Sequence, residues 1–398
     1  MKRRKTIFTL VLVLATISLP ISARRTLYVL NGEKIGDAVE HARQIYRETG
    51  ESTTIAIAPG DYEEELTIDI PGLKLINTMS LHPSLDLTEV RYGGLYIGPN
   101  TVRISWYYGH GYQYRSMGDS INWGGRRTRL WNASVLVDAP DFYAEGIVFQ
   151  NSFNLYVSPA EAKDELSSVS DRPEWSATER PKQMPARPKV PMSTAVQHRA
   201  YGERASALSF SSRAKNAELR RCRIAGRQDA LFGDHGAEVY MYNCIIQGQV
   251  DFIFGGMTLA CKKSQLVAEL TQEKNDHCYI AAGRGAVRRI CRAEQLDSIP
   301  SEEFVKGGML FENCRIRYAT ADEITQPVDT TNAEMMRQHP IYLCRPWRWW
   351  GAHTFRNITY QPGCLKADPY TKPSECISLG LTKGHAAPYV KIEKREAR

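Results

Sequence analysis

The chain has 398 residues, 42% of them hydrophobic, 24% charged and 10% aromatic, with 29 Gly and 20 Pro. This composition excludes collagen-like and disordered classes and guarantees a sizeable core. The formal charge of +7 falls to +3 once Lys2, Arg3, Arg4 and Lys5 are set aside as part of a leader, too small an excess for a nucleic-acid partner.

Those four basic residues precede an apolar run from Ile7 to Leu19, followed by Pro20, Ser22 and Ala23. The pattern predicts a secretory signal peptide over residues 1–23, and hence an exported protein, periplasmic or extracellular, with no membrane attachment after cleavage. Residues 24–398 are expected to form one domain and a monomer. From Gly36 to Arg47, Ile35, Ala38, Val39, Ala42, Ile45 and Tyr46 fall at helical spacing and Gly50 supplies a stop, which predicts a short capping helix. Thereafter short β-rich runs, Thr54 to Ala58 and Leu66 to Ile70, alternate with Pro59-Gly60-Asp61 and Pro71-Gly72.

A loose repeat then emerges at Gly146 to Ser152, Ala217 to Ile224, Glu238 to Ile245 and Gly308 to Ile316, each an apolar-alternating strand ending in Asn or Cys. Cys222 and Cys244 lie 22 residues apart, a period suited to one coil of a solenoid. Two-residue hairpin turns are scarce, Asn31-Gly32 being the main example, which favours crossovers over a sandwich. The expected fold is all-β, a single-stranded parallel β-helix. Three stretches interrupt it: 156–200, with six prolines, 285–307 and 319–338. The first reads equally well as a surface excursion or as a wall of a binding cleft. All nine Cys lie at or beyond Cys222, in odd number and without zinc-ribbon spacing, and several of them read as interior residues; no metal or organic cofactor is expected.

Two carboxylates stand out. Asp229, in Gln228-Asp229-Ala-Leu-Phe232, and Asp251, in Gly248-Gln-Val250-Asp251-Phe-Ile-Phe254-Gly255, are also 22 apart. One coil of separation would bring like charges close on one face, where one holds a proton and the pair becomes an acid and a base. A lone Asp at a coil corner would more often cap a turn. Asp251, however, sits among Val250, Phe252, Ile253 and Phe254, where a charge requires a partner, and Arg345 in Tyr342-Leu-Cys-Arg345-Pro-Trp347-Arg is the best candidate. His110, His235 and His353 are not grouped for a metal, and no GxSxG motif occurs. The aromatic block Trp106 to Tyr114 reads as flank packing before it reads as a sugar platform; Trp349 and Trp350, beside Trp347, read equally as ligand contacts.

These segments resemble the pectin methylesterases, right-handed parallel β-helix carbohydrate esterases. The family's QDTLY is similar to Gln228–Phe232, its GTVDFIFG to Gly248–Gly255, its LGRPW to Leu343–Trp347, its GxYxE to Gly60–Glu64 and its YITAxGR to Tyr279–Arg284. The VDFIFG segment is the most specific, and the ordered resemblance runs from about residue 32 to 360. It implies that Asp251 attacks the methyl-ester carbonyl of a galacturonate in methylated pectin (homogalacturonan), releasing methanol. It further implies that Asp229 is the general acid and then base, that Arg345 orients Asp251, and that Gln228 donates to the oxyanion. Phe254 and Trp347 would form the floor under the sugar, with Val250, Phe232, Arg204 and Trp349 as further substrate contacts.

The departures are informative. Arg204, in Glu203-Arg204-Ala-Ser-Ala-Leu208, replaces the family's usual Gln; it is expected to serve the oxyanion or substrate, although it could pair with Asp229 and spoil the acid. Ala230, Phe232, Gln249, Gly256 and Cys344 replace Thr, Tyr, Thr, Asn and Gly. Two alternatives stay open: another β-helix pectin-degrading enzyme, a polygalacturonase or pectate lyase, and a noncatalytic polyuronate-binding relative.

Overall fold

A computed structural model of the chain describes residues 25–110, 112–120, 133–169, 187–198, 203–274, 276–283, 286–287, 304–305, 308–345, 352–366 and 389–393. The expected leader 1–23, much of 156–200 and 285–307, and Trp347, Trp349 and Trp350 lie outside the described residues.

The repeat is a coil of three strands. In one coil these are Ala217–Arg220, Arg223–Ala225 and Leu231–Gly233; in the next, Glu238–Tyr242, Ile245–Gly248 and Val250–Gly255. Each strand pairs in parallel with its counterpart one coil away. Repetition builds three stacked sheets, of ten, eight and seven strands among the described residues, and gives the expected parallel β-helix. Alternate side chains point inward: in Glu238–Tyr242, Val239 and Met241 are buried while Glu238 faces solvent. Successive coils stack like on like. Ile104, Phe149, Ile224, Ile246, Leu266 and Ile316 form one buried ladder through the second sheet. At about 25 cal/mol per Å² of apolar surface, such ladders are the main source of stability.

The Asn-Cys signature has a local cause. The corner between the first and second sheets is made by one left-handed residue, and Asn adopts that conformation more readily than most. Gly146, Arg221, Asn243, Lys263, Asn313 and Asn357 occupy it, with φ between 46° and 71°. The next side chain turns inward, so Cys222 donates to the Ala144 carbonyl at 3.5 Å and Cys244 to that of Leu219 at 3.6 Å. All seven described cysteines are buried and free, as interior residues should be.

The helix Ile35–Thr49 covers the N-terminal end, burying Ile35, Val39, Ala42 and Ile45, and Gly50 ends it with φ 71°. Glu64 accepts from the Ile35 and Gly36 amides at 2.8 and 3.0 Å, so the acid of the GxYxE-like segment caps this helix. On the flank, Tyr107, Tyr108, Tyr112, Tyr114, Met117 and Phe153 form a separate buried cluster, the packing role expected of the aromatic block. Glu161 binds Tyr114 Oη at 2.7 Å and the Arg187 guanidinium at 2.9 and 3.0 Å. The described ends of the 156–200 stretch are therefore docked on the flank.

No described helix is long and apolar enough to cross a membrane.

Candidate active site

Asp229 and Asp251 meet where the second sheet turns into the third. Leu231 pairs with Ile253 and Phe232 with Phe254, and the Asp229 amide donates to the Val250 carbonyl at 3.2 Å, so the two carboxylates are level on neighbouring coils. Both residues are left-handed, with φ of 58° and 51°, a conformation that Asp tolerates but that has to be held in place. At Asp251 the cause is a bulge. Val250 pairs with Tyr279 but Ile253 with Ala281, so Asp251 and Phe252 together oppose one residue of the next coil. Gly248 makes room, because a Cβ there would lie 2.2 Å from that of Phe252.

Asp251 is 3% exposed, and Arg345 grips both of its oxygens, Nε to Oδ1 at 2.6 Å and Nη2 to Oδ2 at 2.5 Å. The Arg345 guanidinium lies 4.5 Å from the Tyr279 ring centroid, and Tyr279 stacks on Tyr342 at 4.9 Å. The partner expected from sequence is thus in place, held by an aromatic pair.

Asp229 is 2% exposed. Burial pushes its pKa up to about 8, and the neighbouring Asp251 adds to the rise against the opposing pull of Arg204 and Arg345. Arg204 Nε lies 3.9 Å from Asp229 Oδ2, a loose pair with one third of the Arg204 side chain exposed. At that distance it does not overcome burial, so Asp229 retains its proton at neutral pH. The Arg204 backbone is pinned on both sides: it bridges Gln228, and its carbonyl accepts from the His110 amide at 2.8 Å. Glu203 accepts from Tyr112 Oη at 2.6 Å, which links the aromatic flank to the site.

Gln228 and Val250 are half-buried at the same edge. Phe232 and Phe254 pack on each other at 5.4 Å with Ala282 and Leu136 and are only 3% and 2% exposed. They form a small cluster of their own, separate from the interior of the coil, which takes Leu231 and Ile253. The floor expected of Phe254 and the substrate contact expected of Phe232 fall on these two packed rings. Trp347 and Trp349 lie outside the described residues. No group of three metal-ligating side chains occurs among the described residues.

Sequence reasoning missed a buried polar cluster behind the carboxylates. Arg227 and Gln249 precede Asp229 and Asp251 by two residues each, and both reach Asp276, on the coil that follows Gln249. Their spacing, again 22, was the available signal.

Residues 190–361 match the family model described as Pectinesterase. That segment is similar to the Pectinesterase family. It contains Arg204, Gln228, Asp229, Asp251 and Arg345, and the match covers a little under half of the chain. "Probable pectinesterase A" of Aspergillus niger is 28% identical over 148 residues, which are 37% of this chain and 35% of that protein, so the match spans about a third of this relative's length. Among solved structures, the pectin methylesterase from carrot aligns over 93% of this chain and 83% of its own, with a TM-score of 0.54 and 16% identity. That from Aspergillus niger aligns over 92% and 84%, with a TM-score of 0.51 and 18% identity. At these identities the structural likeness is one of fold, and it agrees with the parallel β-helix seen here.

Proposed function

We propose that this chain is an exported carboxylic ester hydrolase that removes methyl groups from pectin. The observation that carries the reading is a buried Asp229 one coil from an Asp251 held by Arg345. A buried carboxyl with a raised pKa beside a carboxylate gripped by an arginine is equipped for acid and nucleophile roles.

In the first half-reaction an Asp251 oxygen attacks the ester carbonyl carbon, and the bond to the methoxy oxygen breaks. Asp229 gives its proton to that oxygen and methanol leaves, with an anhydride formed on Asp251. In the second, the ionised Asp229 takes a proton from water, whose oxygen attacks the anhydride. Free acid is released, and Asp251 and protonated Asp229 are restored. Gln228 and Arg204 are the donors available to the oxyanion, and Arg204 also offers charge to a neighbouring uronate.

The products test the reaction class. Incubation with highly methylated polygalacturonate is expected to release methanol without new reducing ends or unsaturated products. Reducing ends would indicate a polygalacturonase and unsaturated ends a lyase, while binding without any product would indicate a noncatalytic polyuronate-binding protein.

A further inference from the structure

Arg227, Gln249, Thr271 and Asp276 lie behind the carboxylates with at most 1% exposure. Asp276 Oδ2 accepts from the Thr271 amide at 2.8 Å and hydroxyl at 2.9 Å, and lies 3.7 Å from the Arg227 guanidinium. Its Oδ1 accepts from the Gln249 side chain. The Gln249 amide donates to the Arg227 carbonyl at 2.7 Å, and the Tyr279 amide to the Gln249 carbonyl at 3.0 Å. A single carboxylate thus ties three consecutive coils together. It does so immediately upstream of Asp229, of Asp251, and of the Tyr279 ring under Arg345. Arg227 also donates to the Gln197 carbonyl at 3.3 Å, which brings the return of the long flank excursion into the same cluster.

A buried ion pair is a weak source of stability, since apolar packing of similar volume often does as well or better. Its place in the coil suggests a different use. Both carboxylates occupy left-handed positions, one of them on a bulge, and left-handed backbone relaxes unless its surroundings fix it. Attack and proton transfer depend on spacing to within about an ångström.

We propose that Asp276 is a positioning residue, acting through Arg227 and Gln249 to set the distance between Asp229 and Asp251. The inference rests on the functional reading above. The charged groups facing Asp229 are Arg204, Asp251 and Arg345; those facing Asp276 are Arg227, Glu269 and His339, with the thiol of Cys278 beside it. Loosening the tie admits water to Asp229, which lowers its affinity for a proton.

The test compares the parent protein with Asp276→Asn and Gln249→Met. Methanol release is followed from about pH 5 to pH 10, with kcat and KM separated and folding checked by thermal melting. Both variants should lose about 10- to 100-fold in kcat with KM within about twofold, and their alkaline limb should move to lower pH. A lowered melting temperature with unchanged kcat and an unmoved limb would overturn the proposal and leave Asp276 a structural residue. Gln249→Met keeps the Arg227–Asp276 pair, so it carries the test if Asp276→Asn does not fold. If the parent itself releases no methanol, the functional reading fails instead. Carboxyl NMR titration of Asp229 in parent and Gln249→Met then decides the positioning claim, and an unchanged titration overturns it.

Discussion

Asp229 keeps its proton because burial outweighs two nearby cations. Its folded pKa is raised, so the acid needed for methanol departure is present below about pH 8 and lost as pH rises through that value. Turnover should therefore fall on the alkaline side near pH 8. Arg204 pulls this pKa down, so Arg204→Gln should shift the alkaline limb upward. Loss of its charge from the oxyanion and substrate should also lower turnover about 3- to 10-fold. A pH series of initial rates reads both effects, and a rise in turnover would show that Arg204 hinders the acid.

The strand Val250–Gly255 shows what a bulge contributes. Its extra residue places Asp251 and Phe252 against a single residue of the next coil, and Gly248 is the only residue type that fits beside the Phe252 Cβ. Gly248→Ala should force the bulge to shift, lowering turnover by at least about tenfold and stability by about 1–3 kcal/mol. Paired rate measurements and urea melts would show this, and a variant with parent-like rates would show that the bulge tolerates displacement. The coil was legible in sequence because its corners need left-handed residues and its interior takes small ones, so Asn and Cys recur at the period. The acid pair was legible for the same reason, and Arg345 because a carboxylate among Phe and Ile needs a cation. The bulge was not, since the register between coils is set by packing across 28 or 29 residues and not by local composition. Arg227, Gln249 and Asp276 were obscured because the insertions vary coil length. The burial of Phe232 and Phe254 was not visible either, because alternation along a strand gives a residue's face but not what packs over it.

At the scale of the whole molecule, stacking coils places ionisable side chains where water does not reach. Burial pushes Glu269 up to about 8, with Arg227 and Gln247 opposing the rise, and it pushes His353 down to about 4. A raised carboxyl favours the fold fully below its unfolded pKa and loses that contribution as pH climbs through about 8; a lowered histidine loses its contribution as pH falls from about 6.5 through 4. Stability should therefore decline in both directions from a middle range. Glu269→Gln, which cannot ionise, should melt higher than the parent at about pH 8 and close to it at about pH 4.5. Equal melting temperatures at the higher pH would show that Glu269 is ionised and paired. The central claim, however, concerns the two carboxylates that adjacent coils bring level. Its most direct test is methanol release from highly methylated polygalacturonate by the parent and by Asp251→Asn, with matching circular dichroism as proof of folding. Steady release by the parent and a loss of at least about a thousandfold in the variant are the expected results. Equal release by both would contradict the account, because Asp251 would then not be the nucleophile.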